Sequence, residues 1–280
     1  MRSTARANPI DRAAVRHGIF LPPFGPFGDP AVLVDLAVAA EGTGWDGFFL
    51  WDHLVHRVDG PYVDAWIALA AIAARTDRVR IGPLITPLPR RRPWKLAREA
   101  VSLDHLSDGR LVLGVGIGTD HSREFSAFGE PSDVRTRAEL LDEGLDIVAQ
   151  LWTGEPVHHS GRHFHVDGAR FLPRPLQQPR IPIWCGAHWP NRPPFRRAAR
   201  YDGVVPIGDI PPEAVTDLLS DVGRHRTSRE PFDVAIASWT ATAAPHEYES
   251  AGATWWLEAF QPDTPLETAQ TAIERGPARA

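Results

Sequence analysis

The amino-acid sequence predicts an α/β fold of the (β/α)8 TIM barrel type. Short apolar runs recur along the 280-residue chain, and each is followed by turn residues and a stretch of helical spacing. Eight such runs are present, which is the number of strands that closes this barrel. An open doubly wound sheet is the alternative, and the eight-unit count argues against it. The predicted strands span residues 16–22, 47–53, 79–87, 110–118, 181–187, 202–208, 232–238 and 254–260.

The stretches between these strands carry helix start and stop signals. Asp29 before Pro30 is typical of an N-cap and a first helical position, and Gly42 indicates where that helix ends. Thr264 and Glu267 have the spacing of a capping box, which predicts a last helix after the eighth strand, as a closed barrel requires. One buried face of a further helix is indicated by Leu141, Leu145, Val148 and Trp152.

One segment departs from this repeating pattern. Residues 153–179 are rich in Gly, Pro and His and contain two short alternating runs, which predicts a hairpin-like excursion between the fourth and fifth units. Residues 1–15 are rich in Arg and Ala and lack the apolar centre of a secretory signal, so we expect a flexible lead-in there. Residues 16–280 are then predicted to form a single domain.

Composition excludes several classes of function. A formal net charge of -5 provides no field that would gather polyanions, so we expect a small-molecule substrate and no nucleic-acid partner. No apolar run approaches the roughly 18 to 20 residues that a membrane span needs, so no membrane partner is expected. The single cysteine, Cys185, excludes an internal disulfide framework and favours a reducing cytoplasm. We expect its thiol to be buried packing rather than a nucleophile.

The strand ends select candidate site residues, because a barrel builds its active site from the residues just past its strands. Asp52 and His53 directly follow the second predicted strand. An imidazole there can exchange a proton with a bound redox centre, and a neighbouring carboxylate can orient the ring or bind a cofactor. Both are therefore candidate catalytic residues, and a capping aspartate with a packed histidine is the structural alternative. Tryptophans at strand ends suit a site that stacks on a planar ring.

Glycines mark a second candidate position. Gly114, Gly116 and Gly118 recur at a period of two where the fourth strand becomes a loop, which lets a flat ring or a phosphate approach the backbone. This spacing is not that of a dinucleotide-binding fingerprint. The alternative is that the glycines only admit bulky neighbours inside the barrel. The run from Gly186 to Trp189 leads into a helix, whose free N–H groups suit a phosphate.

Histidine and arginine clusters are weaker signals. His158, His159, His163 and His165 suggest a metal site, with His163 and His165 on one strand face, but no carboxylate or cysteine cluster accompanies them, so we predict no metal. Residues 90–92 are three arginines, which either contact an anionic cofactor tail or form a solvated loop. Nucleophile elbows, Walker A loops and zinc-protease motifs are missing, which argues against hydrolase and kinase functions.

Three stretches resemble the luciferase-like family of flavin- and F420-dependent oxidoreductases. They are residues 103–116, LDHLSDGRLVLGVG, residues 174–184, RPLQQPRIPIW, and the second strand with its terminal Asp52 and His53. The resemblance extends over residues 16–260. It implies a flavin or deazaflavin across the barrel mouth, with Asp52 and His53 near the ring.

The same resemblance implies further site residues. A non-prolyl cis peptide is expected within Pro83, Leu84 and Ile85, against one face of the ring. Gly116 and Gly118 are expected to pass close to the cofactor. The remaining cofactor-binding residues that the resemblance implies, near the phosphate, are Gly186, Ala187, His188 and Trp189. The family's sugar-phosphate dehydrogenases place a catalytic Glu where this chain has Ile117, Gly118 and Thr119, which argues against that substrate.

The function expected from these residues is hydride transfer to or from a small organic substrate by a homodimeric, cytoplasmic enzyme. The cofactor is F420 or FMN, with F420 preferred. In this hypothesis His53 supplies a proton or a hydrogen bond. With FMN the alternative is monooxygenation by reduced flavin and O2. Two rival hypotheses are a non-catalytic flavin-binding protein and a metal-dependent barrel hydrolase.

Overall fold

The computed structural model describes residues 15–278, and they form a closed parallel barrel with an outer layer of helices. The predicted lead-in, apart from Val15, lies outside the described residues. The strands are β1 Arg16–Leu21, β2 Gly47–Leu50, β3 Arg80–Pro83, β4 Thr86–Pro87, β5 Leu113–Gly116, β6 Val157–Ser160, β7 His165–Ala169, β8 Ile183–His188, β9 Gly203–Ile207, β10 Asp233–Ala237 and β11 Trp255–Ala259. The strands of the barrel follow the order β3-β2-β1-β11-β10-β9-β8-β5-β4.

The barrel closes through β3 and β4, which occupy the position of one predicted strand. β4 pairs with β5, and β3 is joined to the start of the same stretch by a bridge between Ile81 and Leu111. The break between β3 and β4 is the cis peptide bond Leu84–Ile85, at the position where the resemblance placed one. The eight predicted units are therefore present, and the prediction of a (β/α)8 barrel is confirmed.

Helices follow the strands at the predicted start signals, with one wrong cap. Asp29 caps α1, since its carboxylate accepts a hydrogen bond from the N–H of Ala31 at 2.8 Å. The capping box at Thr264 does not form, because the hydroxyl of Thr264 accepts from the N–H of Gln261 and α8 begins only after Pro265. The helices are α1 Pro30–Gly42, α2 Ala65–Ala73, α3 Pro93–Leu106, α4 Val134–Leu151, α5 Arg192–Ala198, α6 Pro212–His225, α7 Pro245–Ala251 and α8 Leu266–Arg275.

The predicted excursion is a two-stranded antiparallel hairpin formed by β6 and β7. His163 lies before β7 rather than within it, so the expected pair of imidazoles on one strand face is wrong. The physical reason is Glu143 on α4, whose carboxylate accepts from the backbone N–H groups of His163 and Phe164 and forms a turn there. Within residues 15–278 no group of three or more His, Cys, Asp or Glu side chains is arranged to hold a metal ion.

Two apolar layers position the mouth of the barrel. The outer layer lies between the strands and the helices, and it includes the predicted stripe of Leu141, Leu145 and Val148 on α4. The inner layer fills the barrel with aromatic rings, and the centroids of Trp184 and Trp255 lie 5.6 Å apart. Because this inner layer fills the interior of the barrel, a ligand can enter only at the mouth. Among the described helices, none has both the length and the apolar character of a membrane span.

Candidate functional site

A cavity of about 300 Å³ opens at the carboxyl ends of the barrel strands, above the inner core. The structure brings most of the predicted site residues to it: Asp52, His53, Leu84, Ile85, Gly116, Gly118, Gly186 and His188 all line the cavity. Three predicted residues lie elsewhere. Pro83 is buried in β3, Ala187 belongs to the outer apolar layer, and Trp189 packs against Phe195 with ring centroids 5.9 Å apart.

His53 is held by a carboxylate that sequence reasoning missed. Its Nδ1 lies 2.8 Å from Oε2 of Glu124, which is 71 positions further along the chain in the loop after β5. A neutral ring in this position donates Nδ1–H to the carboxylate, which leaves Nε2 as the atom that takes up or releases a proton. The side chain of His53 is 21% exposed and that of Glu124 is 1% exposed, so a buried anion fixes an imidazole at the cavity wall.

Glu124 is itself fixed from several directions. Its Oε1 accepts hydrogen bonds from the backbone N–H of Leu54 at 2.6 Å and from Nη1 of Arg90 at 3.2 Å. Burial by itself raises the pKa of Glu124, but the hydrogen bond and charge of His53 and the charge of Arg90 outweigh it and lower the pKa below its ordinary value. Glu124 is therefore an anion near neutral pH and joins the loop after β5 to the loop after β2.

Asp52 does not orient His53, so that expectation is wrong. Its carboxylate is buried and makes no hydrogen bond to the imidazole, because Nδ1 of His53 is bound by Glu124 instead. The oxygens of Asp52 receive hydrogen bonds from Thr86 Oγ1 at 2.7 Å, Arg90 Nη2 at 2.9 Å, Arg91 Nη2 at 3.0 Å and Trp66 Nε1 at 3.2 Å. The residue therefore ties the loop after β2 to β4 and to the turn that follows it.

The solvated-loop alternative for the arginine run is wrong at Arg90 and Arg91, and contact of these groups with an anionic cofactor tail stays a prediction. The side chain of Arg90 is only 4% exposed and pairs with Asp52 and Glu124, while Arg91 pairs with Asp52. Two buried carboxylates need counter-charges, and these two guanidinium groups supply them. Arg91 also approaches Glu99, but its buried Nε has no hydrogen-bond partner among the described residues. Arg92 is exposed and directly precedes α3.

The glycines surround one side chain of the cavity wall. A Cβ at Gly116 would lie 2.8 Å from Cγ2 of Ile85, and one at Gly186 would lie 3.1 Å from Cδ1 of Ile85. Gly118 has a φ of +70°, and a Cβ there would lie 2.8 Å from Cβ of Pro87. The absent side chains thus admit Ile85 and Pro87, which agrees with the packing alternative, while the glycine backbones still border the cavity.

A second histidine, His56, lines the same cavity. Its ring stacks on Phe24, with centroids 5.0 Å apart and planes inclined by 28°, and Phe24 also stacks with Tyr62. Burial lowers the pKa of His56, and the charges of His53 and Arg57 lower it further, which outweighs the opposing effect of the Glu124 charge. His56 is therefore a neutral imidazole at pH 7. The sequence prediction missed it because His56 lies three residues beyond His53, past the strand end that selects candidates.

A wider cavity of about 720 Å³ adjoins the first and shares Ile117, Gly118, Thr119, Gly186 and His188 with it. Arg137 borders this second cavity and donates to the carbonyl oxygen of Gly118 at 2.8 Å. Its Nε is buried and makes no hydrogen bond to any described residue. Asn191 and Arg197 also border the second cavity, close to the predicted phosphate position after β8.

The signal that would have revealed Glu124 is its position in a mouth loop. The candidates predicted from this loop end at Gly118, six residues short of Glu124. An acidic residue followed by the buried Phe125 is a candidate inward-facing carboxylate, yet nothing in the sequence pairs it with a residue 71 positions earlier. That pairing depends on the barrel, which brings neighbouring strand ends together.

The two cavities fit a planar cofactor with an anionic tail. Phe20, Leu84, Ile85 and Val205 give the first cavity apolar walls on which a tricyclic ring can pack. The second cavity provides the guanidinium of Arg137, whose buried Nε has no partner within the described chain and suits a phosphate or a carboxylate. His53 adds an Nε2 that Glu124 does not engage. The arrangement can bind a flavin-like ring and exchange one proton beside it.

Comparisons with known proteins agree with this arrangement. The chain is 36% identical over 194 residues to an F420-dependent glucose-6-phosphate dehydrogenase of Nakamurella multipartita, covering 68% of this chain and 56% of that protein. It is 33% identical over 219 residues to a 4-hydroxyprotoasukamycin monooxygenase of Streptomyces nodosus subsp. asukaensis, covering 74% of this chain and 57% of that protein. The chain thus spans less than two thirds of the length of these relatives.

A solved structure and a family model extend the comparison to nearly the whole chain. The fold is similar to that of an F420-dependent secondary alcohol dehydrogenase in complex with an F420-acetone adduct, with a TM-score of 0.76 and 16% sequence identity over 94% of this chain and 100% of that one. The model of the luciferase-like monooxygenase family matches residues 15–277. The resemblance read from the sequence is therefore confirmed, and the chain belongs to the luciferase-like monooxygenase family.

Proposed function

We propose that this protein is a flavin- or F420-dependent oxidoreductase that transfers hydride to or from a small organic substrate. The observation that carries the proposal is His53 at the wall of an apolar mouth cavity, with its Nδ1 bound by the buried Glu124. F420 is the preferred cofactor, because the relatives of 36% identity are named as F420-dependent dehydrogenases. FMN is the alternative.

The geometry supports a separate role for each group of site residues. A bound cofactor supplies the hydride acceptor or donor. Leu84, Ile85 and Val205 hold its ring and keep water out, and Arg137 holds its anionic tail. His53 takes the hydroxyl proton when an alcohol is oxidised and returns it when a carbonyl is reduced. Glu124 keeps the ring in one tautomer and orientation, so it acts as a positioning residue.

Kinetics of two variants test these roles. His53→Ala is expected to lower kcat by about 100-fold or more, since a general acid or base contributes about that much. Glu124→Gln keeps the shape but lets the ring choose either tautomer, so kcat falls by a smaller factor. The matched control is His246→Ala, because His246 is exposed on α7 and lines neither cavity. Equal rates for His53→Ala and the control would contradict the role of His53.

Cofactor binding is tested separately by calorimetric titration. The protein is titrated with F420 and with FMN, each oxidised and reduced, and the titration is repeated on Gly118→Trp. Binding of one cofactor that the variant abolishes supports the site, because an indole at Gly118 would obstruct both cavities. If neither cofactor binds the unsubstituted protein, the proposed function fails.

The second candidate function is monooxygenation with reduced FMN and O2. The observation that favours it is the relative of 33% identity named as a monooxygenase. It predicts substrate-dependent incorporation of one oxygen atom from ¹⁸O2, whereas hydride transfer incorporates none. Mass spectrometry of the product distinguishes the two functions.

We further propose that residues 16–280 act as one domain and that the protein is a cytoplasmic homodimer. Support for the dimer comes from exposed apolar side chains near the mouth, among them Ile67 at 68% exposure and Phe128 at 58%. Light scattering after gel filtration tests the dimer, and charged substitutions at Ile67 and Phe128 are expected to yield monomers.

A further inference from the structure

We propose that His56 is a specificity-determining residue, which donates a hydrogen bond from Nε2 to an uncharged carbonyl or hydroxyl oxygen and so selects a neutral, mainly apolar substrate. This inference rests on the proposed function of the same site. It differs from that function in naming the substrate class and the residue that recognises it.

The His56 ring is held in a fixed position. Its backbone N–H donates to the hydroxyl of Tyr62 at 3.0 Å, and that hydroxyl donates to the carbonyl oxygen of Val58 at 2.8 Å. The ring itself stacks on Phe24 at 5.0 Å. An imidazole held by stacking and by its own loop is preorganised, so little conformational entropy is lost when it binds a ligand.

The neutral ring of His56 carries one proton, on either Nδ1 or Nε2. Nδ1 of His56 is buried and has no hydrogen-bond partner among residues 15–278. A buried N–H without a partner is rarer in proteins than a buried acceptor without one. The neutral ring therefore carries its proton on Nε2. Because the side chain lines the cavity, Nε2–H is available as a donor to a ligand oxygen.

The rings of His53 and His56 lie close together at the wall of the first cavity. The ring centroids of His53 and His56 lie 5.4 Å apart with the planes inclined by 73°. An oxygen in hydrogen-bond contact with a ring nitrogen lies about 4 Å from the ring centroid. One oxygen atom can therefore contact both rings. In alcohol oxidation a bound cofactor would accept the hydride of the substrate carbon, while the hydroxyl proton passes to His53 and His56 keeps its own proton.

The charge of the wall of the first cavity also bears on the class of substrate. No Lys or Arg side chain of the described chain lines the first cavity. Two carboxylates, Asp52 and Glu124, are matched by the two guanidiniums of Arg90 and Arg91, so the wall carries no unpaired positive charge. A phosphorylated sugar would leave its dianion without a counter-ion there. Trp51 and Trp239 instead favour an apolar substrate body.

The test compares cyclohexanol and glucose 6-phosphate on the F420-loaded protein. We expect turnover of cyclohexanol and a kcat/KM at least 100-fold lower for glucose 6-phosphate. His56→Phe preserves the stacked ring but removes the donor, and it is expected to lower kcat/KM for cyclohexanol about tenfold, the worth of one neutral hydrogen bond. His246→Phe is the matched control and should leave kcat/KM unchanged. Preference for glucose 6-phosphate, or an unchanged His56→Phe, overturns the proposal.

A second readout does not depend on turnover. In ¹⁵N-labelled protein without cofactor, two-dimensional imidazole spectra are expected to show His56 neutral at pH 7 and protonated at Nε2. Addition of cyclohexanone should shift the Nε2–H resonance of His56, and glucose 6-phosphate should not. Protonation at Nδ1, or a shift with the sugar phosphate alone, contradicts the proposal. These spectra separate the two hypotheses, because failure of F420 and FMN to bind would leave the His56 resonances unaffected.

Discussion

The contact between His53 and Glu124 defines the chemistry of the site at the scale of single residues. The imidazole alone is common at barrel mouths, whereas an imidazole fixed by a carboxylate that is 1% exposed is a specific arrangement. The buried anion costs desolvation energy, which is offset by His53, by Arg90 and by the N–H groups of Leu54 and Val55. Removing any one of these partners of Glu124 therefore affects the contacts of the others with the carboxylate.

Glu124 also makes stability depend on pH. Its pKa is lowered in the folded protein, so its contribution to stability is fully present above its ordinary pKa and is lost as the pH falls through the lower folded-state value. We expect Glu124→Gln to lower the free energy of unfolding by about 3 kcal/mol at pH 7, because a buried ion pair loses one partner. The deficit should shrink below about pH 4, where the unfolded-state carboxyl becomes protonated. Urea denaturation at pH 7 and below about pH 4 measures this loss of unfolding free energy. An equal loss at the two pH values would exclude the linkage between stability and the protonation of Glu124.

At the scale of elements, the loops after β2, β4 and β5 act as one unit. Arg90 lies in a short helical turn after β4 and reaches both Asp52 and Glu124, which belong to the other two loops. Each loop is therefore held in place by charges from its neighbours rather than by its own sequence. This explains how surface loops can hold His53, the proposed proton-transfer residue, in a fixed position.

The arginine pair gives a matched test of this unit. Arg90→Met removes the guanidinium partner of Glu124 and one of the two guanidinium partners of Asp52, and it is expected to cost about 3 kcal/mol of stability and to lower activity. Arg92→Met, two residues away on the exposed side, should cost less than about 0.5 kcal/mol. Chemical denaturation measures both variants, and similar losses would show that the buried pairing of Arg90 is unimportant.

Substitutions at two glycines with the same φ distinguish the cost of backbone strain from the cost of a steric clash. Gly118 and Gly129 both have a φ of +70°, but only Gly118 has neighbours, since a Cβ at Gly129 meets nothing within 4 Å. Gly129→Ala should cost about 1 kcal/mol from the backbone alone. Gly118→Ala should cost more, because its Cβ would lie 2.8 Å from Pro87 and 3.0 Å from Phe125. Calorimetric unfolding compares them, and equal costs would disprove the packing role.

At the scale of the whole molecule, the barrel supplies a rigid and preformed site, which single residues and loops do not provide. The inner layer of Phe49, Trp184 and Trp255 closes the barrel from within, so ligands meet a rigid floor at a single end. The outer helices hold the strands that carry the wall residues. A site of this kind is preformed, and binding there stabilises the whole fold by mass action.

Ligand-linked stability follows at this scale. F420 at about 100 times its Kd is expected to raise the free energy of unfolding by about 2.7 kcal/mol. For a chain of this size the midpoint temperature then rises by roughly 5 to 10 °C. Differential scanning fluorimetry with F420 and with FMN measures the shift. No shift with either cofactor at saturating concentration would contradict a preformed cofactor site.

The resemblance to the luciferase-like family implied the position of the cis peptide. The sequence by itself determined the barrel, the hairpin of β6 and β7 and the presence of His53 at the mouth. These features follow from periodicity, turn chemistry and motifs that are local in the chain. Only the tertiary structure decided that Glu124 rather than Asp52 holds His53, that Arg90 and Arg91 face inward, and that His56 joins the cavity. Those contacts join loops far apart in sequence, and local patterns carry no information about which charged groups the closed barrel brings together.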